Sequence, residues 1–269
     1  MAHKPIKSRR LGQHFLRSQA LAASLVRQSN LNKRDIVYEI GPGKGILTAP
    51  LAQHAHKVIA IEKDSALAKA LSKRFKQAHN VQIIRGDFLR HRIQASKFKV
   101  FANIPYSITS AAVRKLLFQT GGLQTAHLIM QQEAAFKFIG MPHETQFSIL
   151  AKARFQVTVE RYLSRTDFDP PPKVDSLMLK ICRRERDCVP AYDLYRQFVI
   201  FGFRSGKRSL KLTLKPFFTY KQWRILAREL NFMTNARPSD LSFEQWVLLF
   251  KRFRELVPSE KRQLRSLRP

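Results

Sequence analysis

Short apolar runs closed by glycine, proline or aspartate alternate with stretches whose apolar residues recur at helical spacing, and this alternation continues to about Ile181. Asp35–Ile40 reads as a central strand and runs straight into Gly41-Pro42-Gly43-Lys44-Gly45. Ile46, Leu47, Leu51 and Ala52 then share one helical face, so the order is strand, glycine loop, helix. Val58–Ile61 forms a second strand that ends at Glu62, and a helix carrying Leu67, Ala70, Leu71 and Phe75 follows. Val81–Ile84 is a third strand, closed by Gly86-Asp87. The run from Phe98 through Ala102 halts at Asn103-Ile104-Pro105-Tyr106, because proline cannot donate to a sheet ladder.

Beyond that halt, 113–118 reads as helix, 126–131 as strand, 132–139 and 146–153 as helices and 155–159 as strand. Residues 174–181, with Leu177, Leu179 and Ile181 on one face, fit a closing strand. Strand signals then vanish near Arg183–Asp187. A helical region begins at Tyr195, Phe198 and Val199 and continues through a basic loop, Arg204–Lys215. Two amphipathic stripes close it. One holds Trp223, Leu226, Ala227 and Leu230; the other holds Phe243, Trp246, Val247, Leu249, Phe250 and Phe253, and both read as core.

Charge changes the picture. The 269 residues carry 49 Lys and Arg against 19 Asp and Glu, a formal net charge of +30, which attracts polyanions. No window approaches the roughly 20 apolar residues that span a bilayer, so nucleic acid is the expected partner and a membrane is not. Cys182 and Cys188 have neither redox-pair nor zinc spacing, and the eight histidines are scattered, so no metal is expected. The basic stretch Lys4–Arg10 is short for a removable transit peptide, and a cytoplasmic location is expected.

The candidate chemistry sits at strand ends, where α/β sheets place their ligands. Asn103, a proline-bent backbone and the Tyr106 ring suit a planar ring bearing an amino group; an ordinary strand-to-loop turn is the other reading. Glu62, about twenty residues after Gly41, stands where an acid accepts hydrogen bonds from ribose hydroxyls. Asp87 could hold an adenine amino group or simply cap a turn. The glycines at Gly41, Gly43 and Gly45 do not follow the G-x-G-x-x-G spacing of nicotinamide and flavin sites, and no Walker-type GK[ST] is present.

Gly41–Gly45, Asn103–Tyr106 and Phe168-Asp169-Pro170-Pro171-Pro172-Lys173-Val174-Asp175-Ser176 together resemble the S-adenosylmethionine-dependent rRNA adenine N6-methyltransferases, the Erm and KsgA families. The resemblance implies a Rossmann-like α/β domain with a mostly parallel seven-stranded sheet, followed by a small all-α domain. With the composition shift it sets an arm at 1–11, a catalytic domain at 12–185, a helical RNA-binding domain at 186–257 and a basic tail at 258–269. It implies S-adenosyl-L-methionine held by His14, Leu16, Gly41, Gly43, Glu62, Lys63, Asp87, Phe88 and Asn103. On the target side it implies Asn103, the Ile104 carbonyl, Pro105 and Tyr106, with Phe168 as a second aromatic wall or as a core anchor for its loop. Many relatives have Asn where this chain has His14. Tyr220–Arg228 and Ser242–Trp246 are similar to the Erm side, whose members methylate protein-free 23S rRNA as monomers and confer macrolide-lincosamide-streptogramin B resistance. The KsgA side, acting on 16S rRNA, shares the two catalytic motifs.

Overall fold

The apolar runs pair in a computed structural model that describes residues 14–204, 206 and 209–262. The basic arm, Gly12, three positions of the 204–215 loop and the end of the tail lie outside the described residues. In chain order the strands are β1 (Phe15–Leu16), β2 (Ile36–Ile40), β3 (Lys57–Glu62), β4 (Val81–Arg85), β5 (Phe98–Asn103), β6 (Leu123–Gln131), β7 (Phe155–Leu163), β8 (Phe168–Asp169) and β9 (Ser176–Arg183). Seven of them form one sheet in the order β4-β3-β2-β5-β6-β9-β7. The pairs from β4 to β6 are parallel and β9 runs antiparallel to β6. A parallel sheet is covered on both faces, so its strands carry continuous apolar runs: Val37, Tyr38, Ile40, Val58, Val100 and Phe101 are all buried.

The chain divides into two compact units, one holding residues through Ala135 with Thr158–Arg183, the other Phe136–Val157 with everything from Arg184 on. The first unit contains the sheet face packed on α1 (Gln19–Gln28) and α2 (Thr48–His54), where Leu25, Val26, Leu51, Phe101, Ile129 and Met178 form one buried cluster. It also contains α3 (Ser65–Arg74), started by Asp64 accepting from the Ala66 and Leu67 amides, and α4 (Thr109–Phe118). α5 (Gln132–Ile139) passes from the first unit into the second. The second unit takes in α6 (Gln146–Lys152), which the composition shift near Arg183 assigns to the N-terminal domain. The reason is local: the boundary in sequence marks where strands stop, whereas α6 packs on the helices that follow.

Those helices are α7 (Tyr192–Phe203), α8 (Leu210–Leu214), α9 (Tyr220–Glu229) and α10 (Phe243–Leu256). Their core is aromatic. Phe198 meets Phe253 at 4.7 Å and Trp246 edge-on at 5.9 Å, and the Trp223 and Trp246 indoles donate to the Thr234 and Pro238 carbonyls. Thr219-x-x-Gln222 and Ser242-x-x-Gln245 close reciprocal capping boxes that start α9 and α10. Part of the expected 204–215 loop is helix α8, because Leu210 and Leu214, one turn apart, are both buried.

Candidate active site

The strand order reverses between β2 and β5: the chain moves outward through β3 and β4, then returns to the other side of β2. Open α/β sheets bind ligands outside the carboxyl ends of strands at such a reversal. Gly41 follows β2 and Asn103 ends β5, so both candidate motifs stand at that point. The Gly41 amide donates to the Ile61 carbonyl at 3.0 Å, and its φ of +63° is a left-handed conformation that glycine adopts without strain. At Gly43 a Cβ would meet the Phe15 ring at 2.5 Å, so the loop can lie this close to β1 only without a side chain.

The cofactor end is built from carboxylates that already hold backbone. Glu62 is buried; its Oε2 accepts the Gly43 amide at 3.0 Å and its Oε1 the Asp64 amide at 2.9 Å. Each oxygen keeps a second lone pair for a ligand hydroxyl. Asp87 takes the turn-capping role, its Oδ1 accepting the Leu89 amide at 2.9 Å, and its Oδ2 pairs with the Lys63 ammonium at 3.0 Å. That amide, then Lys63, holds the Asp87 carboxyl below the usual range, so it stays an acceptor. The side chains of Phe88 and Leu16 are buried, so only their backbone is available to a ligand.

Sequence reasoning passed over Glu39. It lies inside β2, buried, with its Oε2 accepting from the Thr48 hydroxyl at 2.7 Å and its Oε1 without a hydrogen-bond partner among the described residues. Burial first, then the charge of Glu62, pushes its pKa up to about 8 against the opposing Thr48 bond. An acid within an otherwise apolar strand, two residues before a glycine loop, was the available signal. The left-handed glycines, the spare lone pairs of Glu62 and Asp87 and the orphaned Glu39 Oε1 fit a nucleoside-bearing cofactor with several hydrogen-bond donors.

The target end carries fewer built-in partners. The Asn103 amide NH2 donates to the His14 carbonyl at 2.7 Å, leaving its Oδ1 without a hydrogen-bond partner among the described residues. Ile104 donates its amide to the Ile129 carbonyl, and its buried side chain pins the turn. The Pro105 ring lies 3.4 Å from where a Gly41 Cβ would stand, joining the two motifs. Tyr106 is half-buried, with its hydroxyl 2.9 Å from that of Ser176 and its ring 5.2 Å from the His14 ring. His14 Nδ1 donates to the Pro170 carbonyl at 2.7 Å. His14, Phe15, Gly41 and the four motif residues line one small pocket open to solvent.

Of the two readings of Phe168, its burial fits the core anchor and not the second aromatic wall. It is fully buried, facing Leu16 across the β1–β8 ribbon and packed in the α1/α2 cluster. A ring with no exposed face cannot stack on a base, so it anchors the proline-rich loop instead. Among the described residues no group of three or more His, Cys, Asp or Glu could hold a metal ion, and no helix is long and apolar enough to cross a membrane.

The switch-point glycine loop, the acidic residues at successive strand ends and the antiparallel β9 define a class I methyltransferase fold. Within that class the chain belongs to the ribosomal RNA adenine dimethylase family, whose model matches residues 6–255. An rRNA adenine N-6-methyltransferase of Bacillus licheniformis is 30% identical over 253 residues, covering 93% of this chain and 88% of the relative. One of Bacteroides fragilis is 32% identical over 262 residues, covering 97% and 98%. A ribosomal RNA small subunit methyltransferase A of Rippkaea orientalis is 31% identical, covering 91% and 96%. Among solved structures, the 23S rRNA methyltransferase ErmE superposes with a TM-score of 0.81 at 28% identity, covering 89% of this chain and 99% of that one. The chain is therefore an rRNA adenine N6-methyltransferase, and its family implies S-adenosyl-L-methionine as methyl donor.

Proposed function

We propose that this chain methylates N6 of one adenine in 23S rRNA, as an Erm-type enzyme that confers macrolide-lincosamide-streptogramin B resistance. The observation that carries the reading is the likeness to ErmE over 89% of the chain. The enzyme works in the cytoplasm as a monomer on protein-free or early precursor RNA.

S-adenosyl-L-methionine, when bound, supplies an electrophilic methyl group on a sulfonium. Glu62 holds its ribose, Asp87 with the backbone of Phe88 its adenine, and the glycine loop with His14 and Leu16 the rest. The Leu89 amide, then Lys63, keeps the Asp87 carboxylate charged. The target amine is a poor nucleophile, because its lone pair is delocalised into the purine ring. Asn103 Oδ1 accepts one hydrogen of the adenine amino group and the Ile104 carbonyl the other, which draws the nitrogen toward tetrahedral geometry. The His14 carbonyl orients the Asn103 amide for this by engaging its NH2. Such acceptors, fixed before the reaction, stabilise charge as it develops on nitrogen.

The base must leave its stack to reach them, and Tyr106 gives it a ring to stack on, contributing roughly 1–3 kcal/mol. Lys4–Arg10, Arg204–Lys215 and the basic C-terminal region supply phosphate contacts.

Methyl transfer from labelled S-adenosylmethionine to protein-free 23S rRNA and, in parallel, to 16S rRNA in small-subunit particles tests the reading. Label on a single adenine of 23S rRNA is expected. Label on 16S rRNA alone would overturn it in favour of the ribosome-maturation branch.

A further inference from the structure

Lys115 is a charged residue on the buried face of α4, between Ala112, Val113, Leu116 and Leu117, and is 8% exposed. A buried ammonium costs several kcal/mol unless its hydrogens are satisfied. Among the described residues no carboxylate forms an ion pair with this one. Its Nζ donates to three backbone carbonyls, those of Phe88 at 2.7 Å, Leu89 at 2.9 Å and His91 at 2.5 Å, and so uses every donor an ammonium has. It also stands 5.0 Å from the centre of the Phe88 ring.

Those carbonyls belong to one turn. Arg90 and His91 donate their amides back to the Asp87 carbonyl, each at 3.0 Å, and the Leu89 amide donates to the Asp87 side chain. A single turn has too few internal hydrogen bonds to hold its own shape. Asp87 caps its amino end and Lys115, reaching across from another element, gathers the carbonyls at its carboxyl end. Filling this space with leucine or methionine would avoid the desolvation of a charge. A charge spent on the backbone of one short loop therefore marks that loop as the part to be fixed.

We propose that Lys115 is the positioning residue of the cofactor's adenine subsite, holding the Asp87–His91 turn so that Asp87 and the Phe88 backbone meet the ring. The proposal rests on the reading that Asp87 receives the adenine of S-adenosylmethionine. Lys115 touches neither cofactor nor target; it acts through the turn. Burial lowers the Lys115 pKa, and the negative charge of Asp87 opposes that shift.

The test is Lys115→Met, which keeps length and removes the three donors, with Lys115→Gln as the variant that restores an amide donor. In the unliganded chain, hydrogen exchange at the Leu89, Arg90 and His91 amides should rise selectively in Lys115→Met. Calorimetry should find S-adenosylmethionine and S-adenosylhomocysteine bound roughly ten- to a hundred-fold more weakly, the size of a lost hydrogen bond to a charged group. Turnover at saturating cofactor and RNA should change little, and Lys115→Gln should recover part of the affinity. In a double-mutant cycle the losses of Lys115→Met and Asp87→Ala should be less than additive, because both act through one contact.

A purely structural lysine would instead lower the melting temperature and active fraction, leave cofactor affinity intact and give additive losses; that outcome overturns the proposal. If the parent chain itself fails to bind S-adenosylmethionine, the cofactor reading falls. Unchanged exchange at the three amides would then refute the hold of Lys115 on the turn by itself.

Discussion

The two ends of the site are built on different principles. At the cofactor end, Glu62 and Asp87 spend lone pairs on backbone amides before any ligand arrives, so the acceptors are fixed by the same bonds that fix the loops. At the target end, among the described residues, the Asn103 side chain has one backbone partner, the His14 carbonyl, and the Tyr106 hydroxyl has one partner, Ser176, while the His14 ring lies 5.2 Å from the Tyr106 ring. A cofactor that binds in every cycle favours a rigid mould. A base that must be pulled from folded RNA can meet acceptors held by fewer bonds.

The sharpest break in that comparison is Asn103→Ala. If the target end works only as the transition state forms, turnover should fall roughly 10²–10³-fold, the size expected for one preorganised hydrogen-bonding group. Cofactor affinity should change little. Single-turnover rates with calorimetry decide it; an affinity loss that accounts for the whole effect would place Asn103 at the cofactor end.

Glu62→Ala is the counterpart and the next in size. It removes the ligand's acceptor and leaves the Gly43 and Asp64 amides unpaired, so cofactor affinity should fall by one to two orders of magnitude, at roughly 1–3 kcal/mol for each lost partner. Folding stability should fall with it, because the carboxylate holds the glycine loop. A loss of affinity with no change in urea midpoint would mean the loop does not depend on Glu62.

Tyr106 measures how far the target end depends on shape. Tyr106→Phe keeps the ring and loses only the contact with Ser176, worth about 1 kcal/mol. Tyr106→Ala removes the stacking face as well. KM for RNA and turnover should both suffer more in the alanine variant; equal losses would assign the role to the hydroxyl.

The contrast also explains what could be read from the residues. Strand, glycine loop and acid at the next strand end follow from periodicity and turn chemistry, and β2, β3, β4 and β5 stand where those patterns put them. The halt at Asn103-Ile104-Pro105-Tyr106 was legible because proline ends a ladder, and β5 does end at Asn103. Which of its two readings Phe168 follows was not legible, since burial of a loop aromatic depends on the β1–β8 pairing between residues over 150 positions apart. Lys115 was hidden for the same reason: a lysine on an apolar helix face reads as a snorkelling side chain, and its three carbonyls lie on a distant turn. α6 joined the second unit through packing that a composition boundary does not record.

Glu39 stands two residues before the glycine loop, and its effect falls on stability and depends on pH. Its folded pKa, raised to about 8, exceeds the ordinary carboxylate value of 4.5 that applies to the unfolded chain. The folded state therefore holds a proton that the unfolded state releases across that interval. By linkage, the contribution of this group to stability is fully present below 4.5, is lost progressively as pH rises to about 8, and stays lost above it. Glu39→Gln keeps a neutral side chain of the same shape and can still accept from Thr48, so it should match the parent near pH 5 and exceed it near pH 9. Urea denaturation at a series of pH values measures the difference, which should be flat for the variant where the parent declines. Parallel curves would mean that Glu39 ionises normally in the folded chain, with the Thr48 hydroxyl and buried water carrying a charge that its surroundings otherwise exclude.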